Sequence, residues 1–231
     1  MLKPLLTANW RYLAFFNFEV DPQLLAPRVP PGTELDFLDG VNFLSVVGFL
    51  SGDTVLIDQP PLRQRLFECV QLRFHMRQRN LDDWRRGIVI VREIVPRAVA
   101  PVLTHVFPGQ PLVALGMRHD LVDEEGEVIT EYGWRHAGKW ESLSVRATGE
   151  PRPVPAASQE DFYLARAWRF TVLASRVTAY RLEHPRWQIR PATTWKLDPR
   201  VFGAEFTETL QRQPSSIFLV DGSHVRLSVR S

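Results

Sequence analysis

The sequence predicts a mainly β, α+β fold, built as one domain over residues 1–231 around a closed or strongly curled antiparallel sheet with a few helices against it. Three observations point there. Strand-like runs succeed one another at short intervals with Gly or Pro turns between them, which favours meanders over βαβ units. Helical patterns are few and short. Eighteen prolines act as punctuation between runs, and no internal repeat or low-complexity tract interrupts the series.

Taken in order, the chain opens on MLKPLLTANWRYLAFFNFEV, apolar in patches. Asn9, Arg11 and Asn17 break it too often for a secretory core or a spanning helix. DPQLLAP (21–27) predicts a short helix with Asp21 as N-cap and Pro22 at its first position. NFLSVVGFL (42–50) is a strand apolar on both parities. FECVQLRFHMR (67–77) alternates instead: Val70, Leu72, Phe74 and Met76 share one face, and Gln71, Arg73, His75 and Arg77 the other. GIVIVREIV (87–95) is a further strand. PRAVAPVLTHVF (96–107) reads as a helix against the objection of Pro101. Strands follow at 111–119, 128–136 and 141–149, with DEEG (123–126) as a hairpin turn. The Pro-rich tract 149–158 reads as an extended surface connection. SQEDFYLARAWRF (158–170) predicts a helix from its capping box, Ser158 with Asp161. The remaining elements are strands at 175–184 and 186–192, a helix over 198–211 that starts on Asp-Pro, and the strand-like SIFLVDG and HVRLSVR near the end.

Composition excludes several classes. A net charge of +2 is too small to mark a nucleic-acid protein, despite a pI near 8.9. A single cysteine, Cys69, allows no internal disulfide and fits a reducing, cytoplasmic compartment. No run is long and apolar enough to cross a bilayer. The six histidines are widely spaced and match no zinc pattern, so no metal is expected. No GxSxG elbow, phosphate loop or dinucleotide turn is present, and no cofactor is expected. Lysine is confined to Lys3, Lys139 and Lys196, all other basic side chains being arginine.

The candidate site residues are Glu68, Arg92 and Glu93. Glu68 shares the parity of Val70, Leu72, Phe74 and Met76 and should therefore face an apolar interior, paired with a cation or held neutral. The alternative is that it sits in the strand's first turn and reaches solvent. Arg92 and Glu93 are neighbours, so they point to opposite faces unless a bulge intervenes. Arg92 is the better electrostatic match for Glu68 across the sheet. The alternative use of this pair is a structural ion pair at the rim. Cys69 has no base beside it and reads as a buried, inert thiol.

The stretches FEVDPQLLAPRVPPGTELD (18–36), FECVQLRF (67–74), REIVPRAVA (92–100), EDFYLARAW (160–168) and YRLEHPRWQIRPA (180–192), in that order, resemble the YqjF-like family of uncharacterised bacterial proteins, which is related to acetoacetate decarboxylase. The resemblance implies an antiparallel, cone-like β-barrel with flanking helices and a cavity in the cone. The decarboxylases form an imine between a lysine and a β-keto acid, with a second lysine lowering the pKa of the first. Their motif runs from an Arg-Glu pair to these two lysines. Arg92-Glu93 matches the pair, but Val99 and Ala100 stand at the lysine positions. The early arginine of the decarboxylases is replaced by Glu19, and their strand-opening glutamate is kept as Glu68. Arginine cannot form the imine, because its guanidinium stays protonated.

Three functions therefore stand side by side. The first is binding of a small anionic or carbonyl-bearing molecule, a carboxylate or keto acid, by Glu68, Arg92 and Glu93 in the cone. The second is a decarboxylase or aldolase-type enzyme with a relocated lysine, Lys139 or Lys196. The third is a non-catalytic protein with a plugged cone, whose arginine clusters at 63–65 and 85–87 meet an acidic partner. Neither a nucleic acid nor a membrane is an expected partner, and a homo-oligomer remains open.

Overall fold

The computed structural model describes residues 2–59, 62, 65–81, 83–124, 126–173 and 176–230. Residues 63 and 64 of the first arginine cluster and residue 125 of the DEEG turn lie outside them. Fourteen strands form among the described residues: β1 (Leu2–Val20), β2 (Glu34–Leu35), β3 (Asn42–Leu56), β4 (Leu66–Asn80), β5 (Asp83–Pro96), β6 (Leu112–Leu115), β7 (Met117–Glu124), β8 (Glu127–His136), β9 (Lys139–Thr148), β10 (Arg152–Pro153), β11 (Trp168–Leu173), β12 (Arg176–Glu183), β13 (Gln188–Leu197) and β14 (Ser216–Arg230). Four helices accompany them: α1 (Pro22–Leu25), α2 (Ala100–Val106), α3 (Gln159–Leu164) and α4 (Ala204–Gln211). No helix among the described residues is long and apolar enough to cross a membrane.

The pairings run in a circuit, β1–β3–β4–β5–β11–β12–β14 and back to β1, so the expected curled sheet is ring-like. Most pairs are antiparallel. Two are parallel, β5 with β11 and β5 with β6, which makes the sheet mixed. The first of these arises where helix α3 ends early. The helix expected over 158–170 stops at Leu164, and residues 168–170 pair with residues 87–89 instead. Gly87 permits this seam, because a Cβ there would lie 2.4 Å from the Trp168 carbonyl oxygen. Along its length β14 serves two neighbours besides β1. Residues 226–229 pair with β12, and residues 218–220 pair with β13. From β13 a second layer continues through β9, β8 and β7.

Two hydrophobic cores follow from this layout. One lies inside the ring and holds Phe15, Phe49, Phe67, Phe107, Tyr180 and Leu227. The other lies between the outer face of β1, β3 and β4 and the second layer, and holds Phe16, Val46, Leu72, Tyr132, Trp134 and Leu143. Strands β1 and β3 are therefore buried on both faces, which explains their apolar residues on both parities. The close approach of the layers is visible at Gly48, where a Cβ would stand 2.6 Å from the Tyr132 ring.

A bulge in β5 sets the site. Leu72 pairs with Arg92 and Arg73 with Ile90, leaving Val91 as the extra residue. On its two sides the parity reverses: Glu93 and Val95 share the ring-interior face with Ile88 and Ile90, while Arg92 and Ile94 share the other face with Val89.

Candidate functional site

Strand β4 turns its polar parity inward. Gln71, Arg73 and His75 all face the ring interior and are buried, at 2%, 7% and 1% exposure. Opposite Gln71 on β5 stands Glu93, also buried. Gln71 donates from Nε2 to Glu93 Oε1 at 2.8 Å, and Arg169 of β11 donates from Nη2 to Glu93 Oε2 at 2.7 Å. Arg169 also donates to Gln110 Oε1, and Gln110 donates to Thr171 Oγ1. Gln110 thus bridges the stretch of wall where β5 leaves β11 and takes up β6. On the outside, a groove of about 430 Å³ lined by Pro27, Val29, Ile90, Val91, Pro111 and Thr171 borders this stretch.

The network surrounds a hollow with two lobes that share Trp10, Phe49, Gln71, Arg169 and Leu227. Each lobe has a volume of about 40 Å³. At about 10–15 Å³ per water-sized sphere, that is room for roughly three waters in each lobe. The first lobe adds Arg73, Tyr163, His184 and Trp187; the second adds Cys69, Glu93 and Phe107.

Arg73 is the unusual member. Its nearest hydrogen-bond acceptor is Gln71 Oε1, at 3.5 Å from Nη1, and its Nε has no partner. No acidic side chain among the described residues forms an ion pair with it. The guanidinium packs 5.0 Å from the centroid of Phe15. Burial, and then the charges of Arg169 and Arg166, push its pKa down to about 9, so it stays a cation at neutral pH. Two guanidiniums, Arg73 and Arg169, therefore face one carboxylate, Glu93. Arg166 does not change this balance, because it is paired with buried Asp36.

Other buried groups fall short of a nucleophile. His75 Nε2 lies 3.1 Å from Ser45 Oγ, which resembles a base and its hydroxyl. Ser45 donates its proton elsewhere, to Asn17 Oδ1 at 2.7 Å, so the imidazole is the donor in this pair. Burial, aided by Arg166 and Arg73, holds the His75 pKa well below its usual range. Burial likewise raises the Cys69 thiol well above its usual range. No group of three or more His, Cys, Asp or Glu side chains that could hold a metal occurs among the described residues.

Of the three residues singled out in the sequence, only Glu93 faces the hollow. Glu68 is buried on the opposite face, in register with Leu50, and its Oε1 accepts from His119 Nδ1 of β7 at 2.6 Å. It ties the second layer to β4 rather than lining the ring. Arg92 is half-buried on that same outer side and donates to the carbonyl of Val201. The bulge at Val91 separates it from the cavity face. Arg73, Gln71, Arg169 and His184 were not singled out as site residues. The signal for the first two was available: β1 and β3 are apolar on both parities, so both faces of the adjoining sheet are buried, and the polar parity of β4 must be too.

The lysines are elsewhere. Lys3 lies 3.7 Å from Asp58 and Lys196 3.4 Å from Asp198, both largely exposed, and Lys139 is exposed at the start of β9. None lines either lobe.

The ring-like sheet with its flanking layer has the fold of solved acetoacetate decarboxylase-like proteins. The structure is similar to an acetoacetate decarboxylase from Legionella pneumophila, with TM-score 0.63 and 15% identity, covering 98% of this chain and 85% of that one. It is similar to the enduracididine biosynthesis enzyme MppR in complex with the condensation product of pyruvate and imidazole 4-carboxaldehyde, with TM-score 0.65, 13% identity and coverage of 100% and 89%. A third neighbour is an acetoacetate decarboxylase-like enzyme from Sphingomonas wittichii RW1, with TM-score 0.62, 13% identity and coverage of 98% and 91%. At these identities the likeness concerns the fold alone. No curated protein sequence matches the chain. The chain belongs to the DUF2071 family, described as an uncharacterized conserved protein, which matches residues 7–224. The family match and the acetoacetate decarboxylase-like fold of these neighbours agree with the YqjF-like resemblance read from the motifs.

Proposed function

We propose that the ring interior binds a small anionic, carbonyl-bearing molecule, a keto acid being the simplest, and that it does so without imine chemistry. The observation that carries this reading is Arg73. A buried cation without an acidic partner costs several kcal/mol, and a carboxylate arriving in the hollow would supply the missing charge in a low-dielectric setting where charge-assisted hydrogen bonds are strong. Glu93 then orients Arg169 instead of touching the ligand's anionic end. Glu68 and Arg92 act in this reading as structural groups on the other face of the sheet. The positions of the three lysines support the absence of an imine step. MppR has been solved with pyruvate, which makes pyruvate a reasonable first probe. The single buried cysteine fits a reducing, cytoplasmic setting.

The test is a melting-temperature series with acetate, pyruvate and acetoacetate at millimolar concentration. A rise with one of them that disappears in Arg73→Met supports the proposal. No rise with any of the three counts against it. Borohydride treatment with pyruvate is expected to leave the chain unmodified by mass, and an adduct on Lys139 or Lys196 would instead establish the relocated-lysine enzyme.

The small volume of each lobe favours a second reading, a ring plugged by its own side chains in a non-catalytic protein. The arginines at the β4–β5 hairpin fit an acidic partner poorly, since Arg77 stacks on Trp84 at 4.4 Å, Arg85 on Trp168 at 5.0 Å, and Arg86 approaches Asp36 at 3.8 Å.

A further inference from the structure

We propose that His184 is a proton acceptor at this cavity, taking a proton from the carbon beside the carbonyl of a keto acid whose oxygens are held by Arg73. The inference rests on the ligand reading above and adds a reaction to it.

The tautomer of His184 is fixed by its neighbour. Nδ1 lies 2.8 Å from the carbonyl oxygen of Pro185. A carbonyl only accepts, so the ring proton sits on Nδ1 and the lone pair of the neutral ring sits on Nε2. Nε2 has no hydrogen-bond partner among the described residues. The ring is also held in place. It stacks on Trp187 with centroids 3.7 Å apart and planes 13° apart, and Trp187 Nε1 donates to Ser223 Oγ at 2.8 Å. His184 and Trp187 line the same lobe as Arg73 and Arg169. Burial is the largest influence on the ring and lowers its pKa; the Pro185 bond opposes this and the Arg73 charge adds to it, for a net fall below the usual range. The ring is therefore neutral, with its lone pair available, at neutral pH.

The other groups of the hollow cannot take this part. Glu93 is engaged by Gln71 and Arg169, and burial holds both the Cys69 thiol and the Tyr163 hydroxyl protonated. What remains is one base and one unpaired cation, the minimum set for moving a proton next to a carbonyl. The step balances without a co-reactant. The C–H bond breaks as the N–H bond forms at Nε2. The electron pair becomes a carbon–carbon π bond while the carbonyl π pair moves onto oxygen, beside the Arg73 guanidinium. The imidazolium then returns a proton to the same carbon or to the enolate oxygen. In heavy water the proton on Nε2 exchanges with solvent before it is returned, so the carbon receives a deuteron and the original proton leaves to the solvent.

The experiment uses the full chain with pyruvate in D₂O, following the methyl signal by proton NMR, with the pyruvate-induced melting shift measured in parallel. The native chain is expected to exchange the methyl protons well above protein-free buffer. His184→Asn keeps a donor for Pro185 but removes the base. It is expected to retain the melting shift and lose roughly 100-fold or more of the exchange rate, the low end of what a positioned base contributes. His184→Gln serves as a second variant, and its own melting curve reports whether it folds. A native chain that shows the melting shift without exchange, or a folded His184 variant that exchanges at the native rate, overturns this inference alone. A native chain with neither shift nor exchange overturns the ligand reading as well.

Discussion

Replacing Arg73 with methionine separates a structural arginine from a receptor for an absent anion. A structural arginine pays its burial back through partners. Arg73 has one hydrogen bond at the limit of geometry, 3.5 Å, and a ring contact at 5.0 Å. The ring contact is worth about 0.5–2 kcal/mol. Against this stands the burial of a guanidinium at 7% exposure, a cost of several kcal/mol per ion. Methionine keeps most of the stem volume and removes the charge. Ligand-free Arg73→Met is therefore expected to gain about 1–3 kcal/mol. At about 2–4 °C per kcal/mol for a chain of this size, its melting temperature rises by about 2–12 °C. Glu93→Ala has the opposite effect, because it leaves two guanidiniums without a carboxylate and strips Gln71 of its acceptor. Its expected loss is about 3–5 kcal/mol. The assay is thermal and urea unfolding of both variants, with and without pyruvate. Arg73→Met melting as far below the native chain as Glu93→Ala, or responding to pyruvate as the native chain does, would refute the reasoning.

Three further outcomes are expected. Glu68→Ala removes the acceptor of the partly exposed His119 ring and costs about 1–3 kcal/mol in urea unfolding, yet the pyruvate-induced shift is unchanged because Glu68 is on the far side of the sheet from the hollow. Cys69 is buried, and its thiol is held above the usual range by burial. It is expected to resist a thiol reagent at pH 8 in the native state and to react fully in denaturant, so rapid native labelling would contradict its placement. Stability should fall in mild acid. His75 has a lowered folded-state pKa, so below about pH 6.5 the unfolded chain binds a proton that the folded chain refuses, and by pH 5.5 this removes on the order of 1 kcal/mol. His184 adds in the same direction. A His75→Gln variant should show a shallower acid slope, read from urea midpoints between pH 7.5 and 5.5.

The strands were legible in the sequence because each carries its own periodicity. The alternation over 67–77 locates β4, and the apolar run over 42–50 locates the core of β3. The long first strand was not singled out, since burial on both faces erases alternation and Asn9, Arg11 and Asn17 interrupt its apolar patches. What alternation cannot say is which side of a strand holds the cavity. Val70, Leu72, Phe74 and Met76 invite the reading of a greasy hollow, yet they pack against the second layer, and the hollow receives Gln71, Arg73 and His75. The helix expected over 158–170 shows the same limit. Its capping box is real, with Ser158 Oγ accepting from Asp161 N at 3.2 Å, but beyond Leu164 the pairing of Trp168, Arg169 and Phe170 with β5 outweighs local propensity. That pairing is what brings Arg169 to Glu93.

The bulge at Val91 decides the sign of the cavity. Without the extra residue, a strand that keeps Ile88 and Ile90 facing inward would carry Arg92 inward as well and turn Glu93 toward the second layer. The hollow would then hold Arg73, Arg92 and Arg169 with no carboxylate among them, which a low-dielectric interior does not tolerate. With the bulge, Glu93 enters, Arg92 leaves to meet the Val201 carbonyl, and Gln71 and Arg169 each find an acceptor. One positive charge is left over, and it sits on the side chain with the poorest hydrogen bonding in the network. A register set only for stability would have matched that charge. The surplus is a physical reason to look for a ligand that arrives carrying the opposite one.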